Sequence, residues 1–301
     1  MAYALEIEGL TKRFGDKTVV NDISFTVDEG EVFGFLGPNG SGKTTTIRTA
    51  LGILRQDAGE IRLLNGLSAT DAMPRVGYLP EERGLLRKEK VSNILRYLGR
   101  LRGLSKTDAL DRGLELLHRV GLYEHRDKKV EGLSHGMTQL VQFVASLIHQ
   151  PDLIILDEPF SGLDPLNVQL MKEMLAIEQN RGATVIFSTH VLSDVEEMSE
   201  RVALIADSRL ILFGDLHEIR VARGANSVLV EATSHPRFLP GAQHQAGRGG
   251  QTEYRLSDQL TPEMILNAYA SEGIVLSRFE QVLPSLNDIF IEEVSNARQH
   301  R

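Results

Sequence analysis

The sequence predicts an α/β fold: a parallel sheet covered by helices, with a helical insertion and a small α+β tail. Three observations predict it. Short β-type runs alternate with longer stretches of helical periodicity. The stretch from about 82 to 150 is nearly all helical in pattern and holds no strand as good as its neighbours. Composition then shifts near residue 221: Lys172 is the last lysine, and Val221–Arg301 holds seven arginines, nine acidic residues and no lysine.

The elements follow in chain order. Ala4–Glu8, Val19–Val27 and Val32–Leu36 are apolar or alternating runs of the strand type. Thr44–Leu54 has helical spacing, and Val76–Leu79 is a further strand. Thr107–Val120 and Gly136–His149 are the clearest helices of the insertion. Leu153–Asp157, Thr184–Ser188 and Val202–Ala206 are short apolar runs, as strands buried on both faces require. In the tail, strands are expected at Ser227–Glu231, Thr252–Leu256 and Ile274–Phe279, with helices at Pro262–Ser271 and Ser285–Val294. The last helix places Leu286, Ile289, Phe290 and Glu293 at helical spacing. Gly241–Gly250 (GAQHQAGRGG) reads as a flexible loop, and no repeat of 20–50 residues is present.

Composition excludes several functions. The 301 residues contain no cysteine, so disulfides, thiolate metal sites and a cysteine nucleophile are ruled out. A formal charge of −8 argues against a surface built to grip nucleic acid. The longest apolar stretches, such as Leu153–Leu156 and Val202–Ala206, fall far short of the roughly 20 residues a spanning helix needs. The N-terminal MAYALEIEGLTKRFG alternates apolar and polar residues and lacks a signal-peptide core. Work at a membrane therefore calls for a partner.

GPNGSGKT at Gly37–Thr44 fits G-x-x-x-x-G-K-[ST], after an apolar strand and before a helical run. The spacing has a chemical reason. Gly37, Gly40 and Gly42 let the backbone curl, with Asn39 and Ser41 between them, so that successive N–H groups face phosphate oxygens. The helix starting near Lys43 adds its positive end, joined by Thr45. Lys43 is expected to reach the β- and γ-phosphates, and the Thr44 hydroxyl to ligate Mg²⁺.

LIILDEP at Leu153–Pro159 is a buried-type strand ending in two carboxylates. Beside a phosphate loop, Asp157 is the expected acidic partner of Mg²⁺. Glu158 is expected to point elsewhere because strand side chains alternate, which suits it to activate an attacking water.

These motifs, with LSHGMTQ at Leu133–Gln139, SGLD at Ser161–Asp164 and STH at Ser188–His190, occur in an order that resembles the nucleotide-binding subunit of ATP-binding cassette (ABC) transporters. The resemblance covers about Tyr3–Arg220. It implies a phosphate-loop, RecA-like ABC ATPase core with antiparallel β and helical subdomains over residues 1–220, the helical part at about 82–150. Residues 221–301 then form a small α+β accessory domain. Two such subunits would pair head to tail around ATP, with Ser134 and Gly136 of one on the γ-phosphate held by the other. By the same resemblance His190 touches the γ-phosphate and the water, Asp164 lies in the segment crossing between subunits, and Phe14 stacks on adenine. Lys12, Arg13 and Lys17 read as a solvated basic patch.

The chain also departs from the pattern. The family's usual LSGGQ is here Leu133–Met137, with His135 and Met137 replacing the usual residues. In VGYLPEE, Glu81 stands where many relatives have glutamine, adding a charge beside the phosphates and an oxygen that can approach Mg²⁺. The PEERGL variant resembles a subgroup of exporter-type ATPases with a C-terminal domain, some similar to sodium-efflux subunits.

The resemblance implies ATP and Mg²⁺ as ligands, a separate membrane permease docked near Glu81–Val91, and a peripheral place on the cytoplasmic face of the membrane. A soluble ATPase of this class acting on DNA or translation is the alternative. The repair type carries a long coiled coil between phosphate loop and signature, whereas 90 residues separate Lys43 from Ser134 here; the translation type carries two cassettes. A nucleotide-binding regulator is a third reading, opposed by the presence of Glu158 and His190.

Overall fold

The computed structural model describes residues 2–82, 84–225, 227–236, 244–246, 251–257 and 260–299. The chain divides into two compact units, Met1–Gly214 and Asp215–Arg301.

The first unit opens on an antiparallel pair, β1 (Tyr3–Phe14) and β2 (Lys17–Asp28), turned at Gly15 with φ 57°. Next come β3 (Val32–Leu36), α1 (Lys43–Ala50), β4 (Ala58–Leu63), a short α2 (Ala69–Ala72) and β5 (Val76–Leu79). The helical insertion holds α3 (Val91–Leu101), α4 (Lys106–Arg119) and α5 (His135–Leu147). The chain returns through β6 (Leu153–Asp157), α6 (Pro165–Asn180), β7 (Thr184–Thr189), α7 (Leu192–Met198), β8 (Arg201–Ala206) and β9 (Arg209–Asp215).

Two sheets result. The antiparallel one runs β2-β1-β4; the other runs β5-β6-β7-β3-β8-β9, with parallel pairing from β5 through β8. All residues of β3, β6 and β7 are buried, as expected of central strands covered on both faces. One core joins the sheets. Phe25 of β2 stacks on Phe33 of β3 at 5.7 Å, and Phe35 lies 5.4 Å from the same ring. Each such buried ring contributes on the order of 1.5–3 kcal/mol. The join matters for the site, because it holds β2 beside the loop between β3 and α1.

Sequence pattern located β3, β5 and β6 to the residue and overlooked β4 and β9. Both are mostly exposed or half-buried edge strands; β4 carries no continuous apolar run, whereas β9 does carry one at Leu210–Phe213. The helix expected over Thr44–Leu54 stops at Ala50. Gly52, at φ 69°, turns the chain in the left-handed region and its N–H bonds Thr49 O at 3.0 Å.

The second unit contains α8 (Leu216–Ala222), β10 (Ser227–Ala232), β11 (His244–Ala246), β12 (Gln251–Arg255), α9 (Pro262–Ser271), β13 (Leu276–Val282) and α10 (Leu286–Gln299). Its antiparallel sheet runs β11-β12-β10-β13 over a core that includes Val228, Val230, Tyr254 and Tyr269. Within the stretch expected as a loop at 241–250, His244–Ala246 pair with β12; the rest lies outside the described residues. The unit begins six residues before the compositional break, at α8. The reason is pairing that composition does not register: Arg220 donates to Pro284 O at 2.9 Å, and Arg223 pairs with Glu292 at 2.8 Å.

Candidate nucleotide site

The C-terminal ends of β3, β6 and β7 meet at one edge of the parallel sheet, where open α/β sheets bind ligands. Leu36 hands over to the loop Gly37–Gly42, which enters α1 at Lys43. Gly42 caps α1 at φ 116°, with no side chain bonded to the helix's first N–H groups. These donors and the helix dipole face outward for an anion. Glycine is required by space as well as by φ. A Cβ on Gly42 would lie 2.6 Å from Val19 O, and one on Gly37 would collide with the Ile205 carbonyl.

The loop borders a cleft of about 200 Å³ lined by Val19, Asn39, Gly40, Gly42, Lys43, Thr44, Thr45, Glu81 and Glu158. Lys43 is 6% exposed, and its ammonium donates to Gly37 O at 2.7 Å. It also stands 3.2 Å from Glu158 Oε1. The other Glu158 oxygen, Oε2, is 2.9 Å from His190 Nδ1. Lys43, Glu158 and His190, from three distant segments, thus form one line of contacts.

Asp157 is fully buried. Its Oδ1 accepts from Ser188 Oγ at 2.6 Å and from Thr44 Oγ1 at 3.1 Å, while Oδ2 has no hydrogen-bond partner among the described residues. Burial raises its pKa, against the lowering effect of the two hydroxyl bonds. A desolvated carboxylate with a spare oxygen next to a threonine hydroxyl fits a hard divalent cation that takes its remaining ligands from phosphate and water. The buried Ser41 Oγ, also without a partner, and the uncapped helix end fit the phosphates.

The structure corrects the reason given for the Glu158 direction. Glu158 lies beyond the last residue of β6 and has φ 48°, so a left-handed turn rather than strand alternation aims it. Ser188 steadies that turn, its Oγ and its O each accepting from Glu158 N at 3.1 Å. Ser188, the first residue of STH, carries no role that the sequence motif itself assigns. A hydroxyl two residues before a candidate histidine, at the end of a strand paired to β6, was the available signal.

The other expected site residues stand outside this cleft. Ser134 caps α5, its Oγ accepting from Met137 N at 3.2 Å, and Gly136 packs near Leu163. Asp164 caps α6: its Oδ1 accepts from Asn167 N and Leu166 N at 3.1 Å each, and bonds from Asn167 and Leu166 hold its pKa low. Gln139 of α5 ties this region to the Asp-Glu strand by donating to Pro159 O at 2.5 Å. Phe14, at the tip of the β1–β2 hairpin, is 50% exposed, with Lys12 Nζ 5.3 Å from its ring centroid. Lys12 is not simply solvated, since it pairs with Asp57 at 3.2 Å.

The sequence matches the ABC transporter family over residues 20–161 and the C-terminal domain of DrrA1-3-like ATP-binding proteins over residues 214–294. The ABC transporter ATP-binding protein YhaQ of Bacillus subtilis (strain 168) is 37% identical over 293 residues, 96% of this chain and 98% of its own. The Nod factor export ATP-binding protein I of Burkholderia lata is 38% identical over 218 residues, 71% of this chain and 72% of its own. A solved ATP-binding subunit of an ABC transporter superposes with a TM-score of 0.68 at 31% identity, covering 73% of this chain and 93% of that one.

Proposed function

Because the chain belongs to the ABC transporter ATP-binding proteins, an ATPase family whose members energise a separate membrane permease, we propose specific roles for its residues in an export ATPase. The observation that carries the reading is the Glu158 carboxylate placed between Lys43 and His190. Lys43, Ser41, Asn39 and the N–H groups of Gly40–Thr45 bind the phosphates of ATP. As Lys43 turns to the phosphates it leaves Glu158 Oε1 free to accept a proton from water. His190 holds the other oxygen and, with Glu158, orients that water. Thr44 and Asp157 hold Mg²⁺, aided by Glu81 at the cleft wall; the ion supplies charge neutralisation at the outer phosphate oxygens. Phe14 stacks on the adenine.

Ser134 and Gly136 act on the ATP of a second, head-to-tail ATPase subunit, near which Asp164 crosses. Their position outside the cleft of their own chain supports a composite site. The partner in the membrane is a permease on another chain, and no helix among the described residues is long and apolar enough to cross a membrane. In this reading the subunit sits peripherally on the cytoplasmic face of the membrane, held there by its permease. Export is favoured by the likeness over most of the chain to an export ATP-binding protein. No role on nucleic acid is assigned, and residues 221–301 act as an accessory α+β domain. The direct test is ATP hydrolysis by the purified chain: Lys43→Ala loses at least about 100-fold in turnover. Unchanged turnover would refute the phosphate-loop roles.

A further inference from the structure

The roles above involve no side chain of α6 or α7, yet a sheltered cation joins these two helices. Lys172 on α6, the last lysine of the chain, has a side chain only 11% exposed. Its ammonium donates to Asp194 Oδ1 at 2.9 Å and to Glu197 Oε2 at 2.6 Å, both on α7. It also stands 5.5 Å from the centroid of the Phe160 ring. A desolvated ammonium needs such partners. The two carboxylates are not equal. Glu197 is 58% exposed, so its pairing contributes little. Asp194 is 13% exposed, and without the lysine it would be a largely buried charge deprived of its partner.

These contacts reach both halves of the Glu158–His190 pair. Phe160 follows Glu158 by two residues, and its ring packs edge-on against Phe187 of β7 at 6.0 Å. Phe187 directly precedes Ser188, which steadies the Glu158 turn. Asp194 lies four residues after His190, in the first turn of α7. His190 itself sits in the connection between β7 and α7 with its side chain 46% exposed, so packing does little to fix the ring. Anchoring α7 restricts that connection.

We propose that Lys172 is a positioning residue for hydrolysis: it clamps α7 to Phe160 and so holds His190 at hydrogen-bond distance from Glu158. The proposal rests on the roles given above to Glu158 and His190 and deepens them by naming what sets their separation. An ammonium suits the task, since a compact charge can lie over an aromatic face and still reach two carboxylates. These three partners all lie outside the phosphate loop, so the clamp acts on turnover and not on ATP binding.

The test compares steady-state ATP hydrolysis by the full chain and its variants. Lys172→Met keeps the apolar stem and removes the charge. Its kcat should fall about tenfold or more while KM for ATP stays within about twofold, because a small misplacement of a reacting group is costly. Lys172→Arg, which keeps the cation, should retain most of the turnover. Asp194→Asn should reproduce the loss and Glu197→Gln should not. In a His190→Ala background, Lys172→Met should add less than about twofold, since no histidine remains to be positioned. Where Lys172→Met fails to fold, Asp194→Asn carries the same comparisons. Unchanged kcat in the folded variant overturns the clamp, as does a loss that multiplies in full with that of His190→Ala; the roles of Glu158 and His190 then stand. If His190→Ala alone hydrolyses ATP like the unmodified chain, the role given to His190 fails and the clamp fails with it.

Discussion

The Lys43 ammonium and the Glu158 carboxylate stand 3.2 Å apart in a cleft where both are less than a tenth exposed. In the proposed mechanism each is the group the other must release for hydrolysis. Lys43 is needed by the phosphates, and Glu158 is an effective base only when its charge is not spent on the lysine. On that proposal nucleotide binding exchanges one ion pair for another and frees the carboxylate.

Glu158→Gln separates binding from turnover. The amide keeps the shape and can bond His190, but it cannot take a proton from water. Hydrolysis should fall by at least about 100-fold while ATP is still bound. Gel filtration with ATP and Mg²⁺ should show the variant as a dimer; a monomer alone would count against the composite site.

Asp157→Asn should trade function for stability. Burial raises the Asp157 pKa, so the folded chain binds that proton more tightly than the unfolded chain does. Stability therefore falls as pH rises from the unfolded carboxylate range through the raised value, and the ionised form is disfavoured at neutral pH. Asparagine removes the charge and can still accept from Ser188 and Thr44. Without nucleotide its melting temperature should rise by a few degrees, with Mg²⁺-dependent hydrolysis lost. An unchanged or lower melting temperature would refute the burial argument.

His149 gives a pH signature of opposite sense. Its folded pKa of about 4 lies below the ordinary histidine value of 6.5. Between these values the unfolded chain binds more protons, so the contribution is complete above about pH 6.5 and lost as pH falls toward 4. Urea midpoints from pH 7 to 4 should decline less steeply in His149→Gln than in the unmodified chain. Parallel curves would place the titration elsewhere.

Truncation after Gly214 should leave a chain that still binds ATP, since the phosphate loop, Asp157, Glu158 and His190 all belong to the first compact unit. A fluorescent ATP analogue and circular dichroism would check this. Ending the chain at Arg220 instead keeps α8 without its bonds to Pro284 and should leave it frayed. Loss of nucleotide binding on the Gly214 truncation would show that the units depend on one another.

Much of this site is legible in the sequence. The glycines at 37 and 42 announce a backbone that no side chain tolerates, and β3 and β6 announce themselves by runs of buried-type residues. Such signals are local: each depends on φ, on spacing, or on a few neighbours along the chain. The order of residues along the chain therefore fixes which groups the site contains and which strand ends carry them. Tertiary structure alone decided the pairings. Thr44 meets Asp157 across 113 residues of sequence, and Ser188 supports both Asp157 and the left-handed turn at Glu158. Those contacts follow from the order β6-β7-β3, which sets three distant strand ends side by side. The edge strand β4 is illegible for a related reason: its stability comes from pairing with a neighbour, and a pairing leaves little periodicity in the residues that make it.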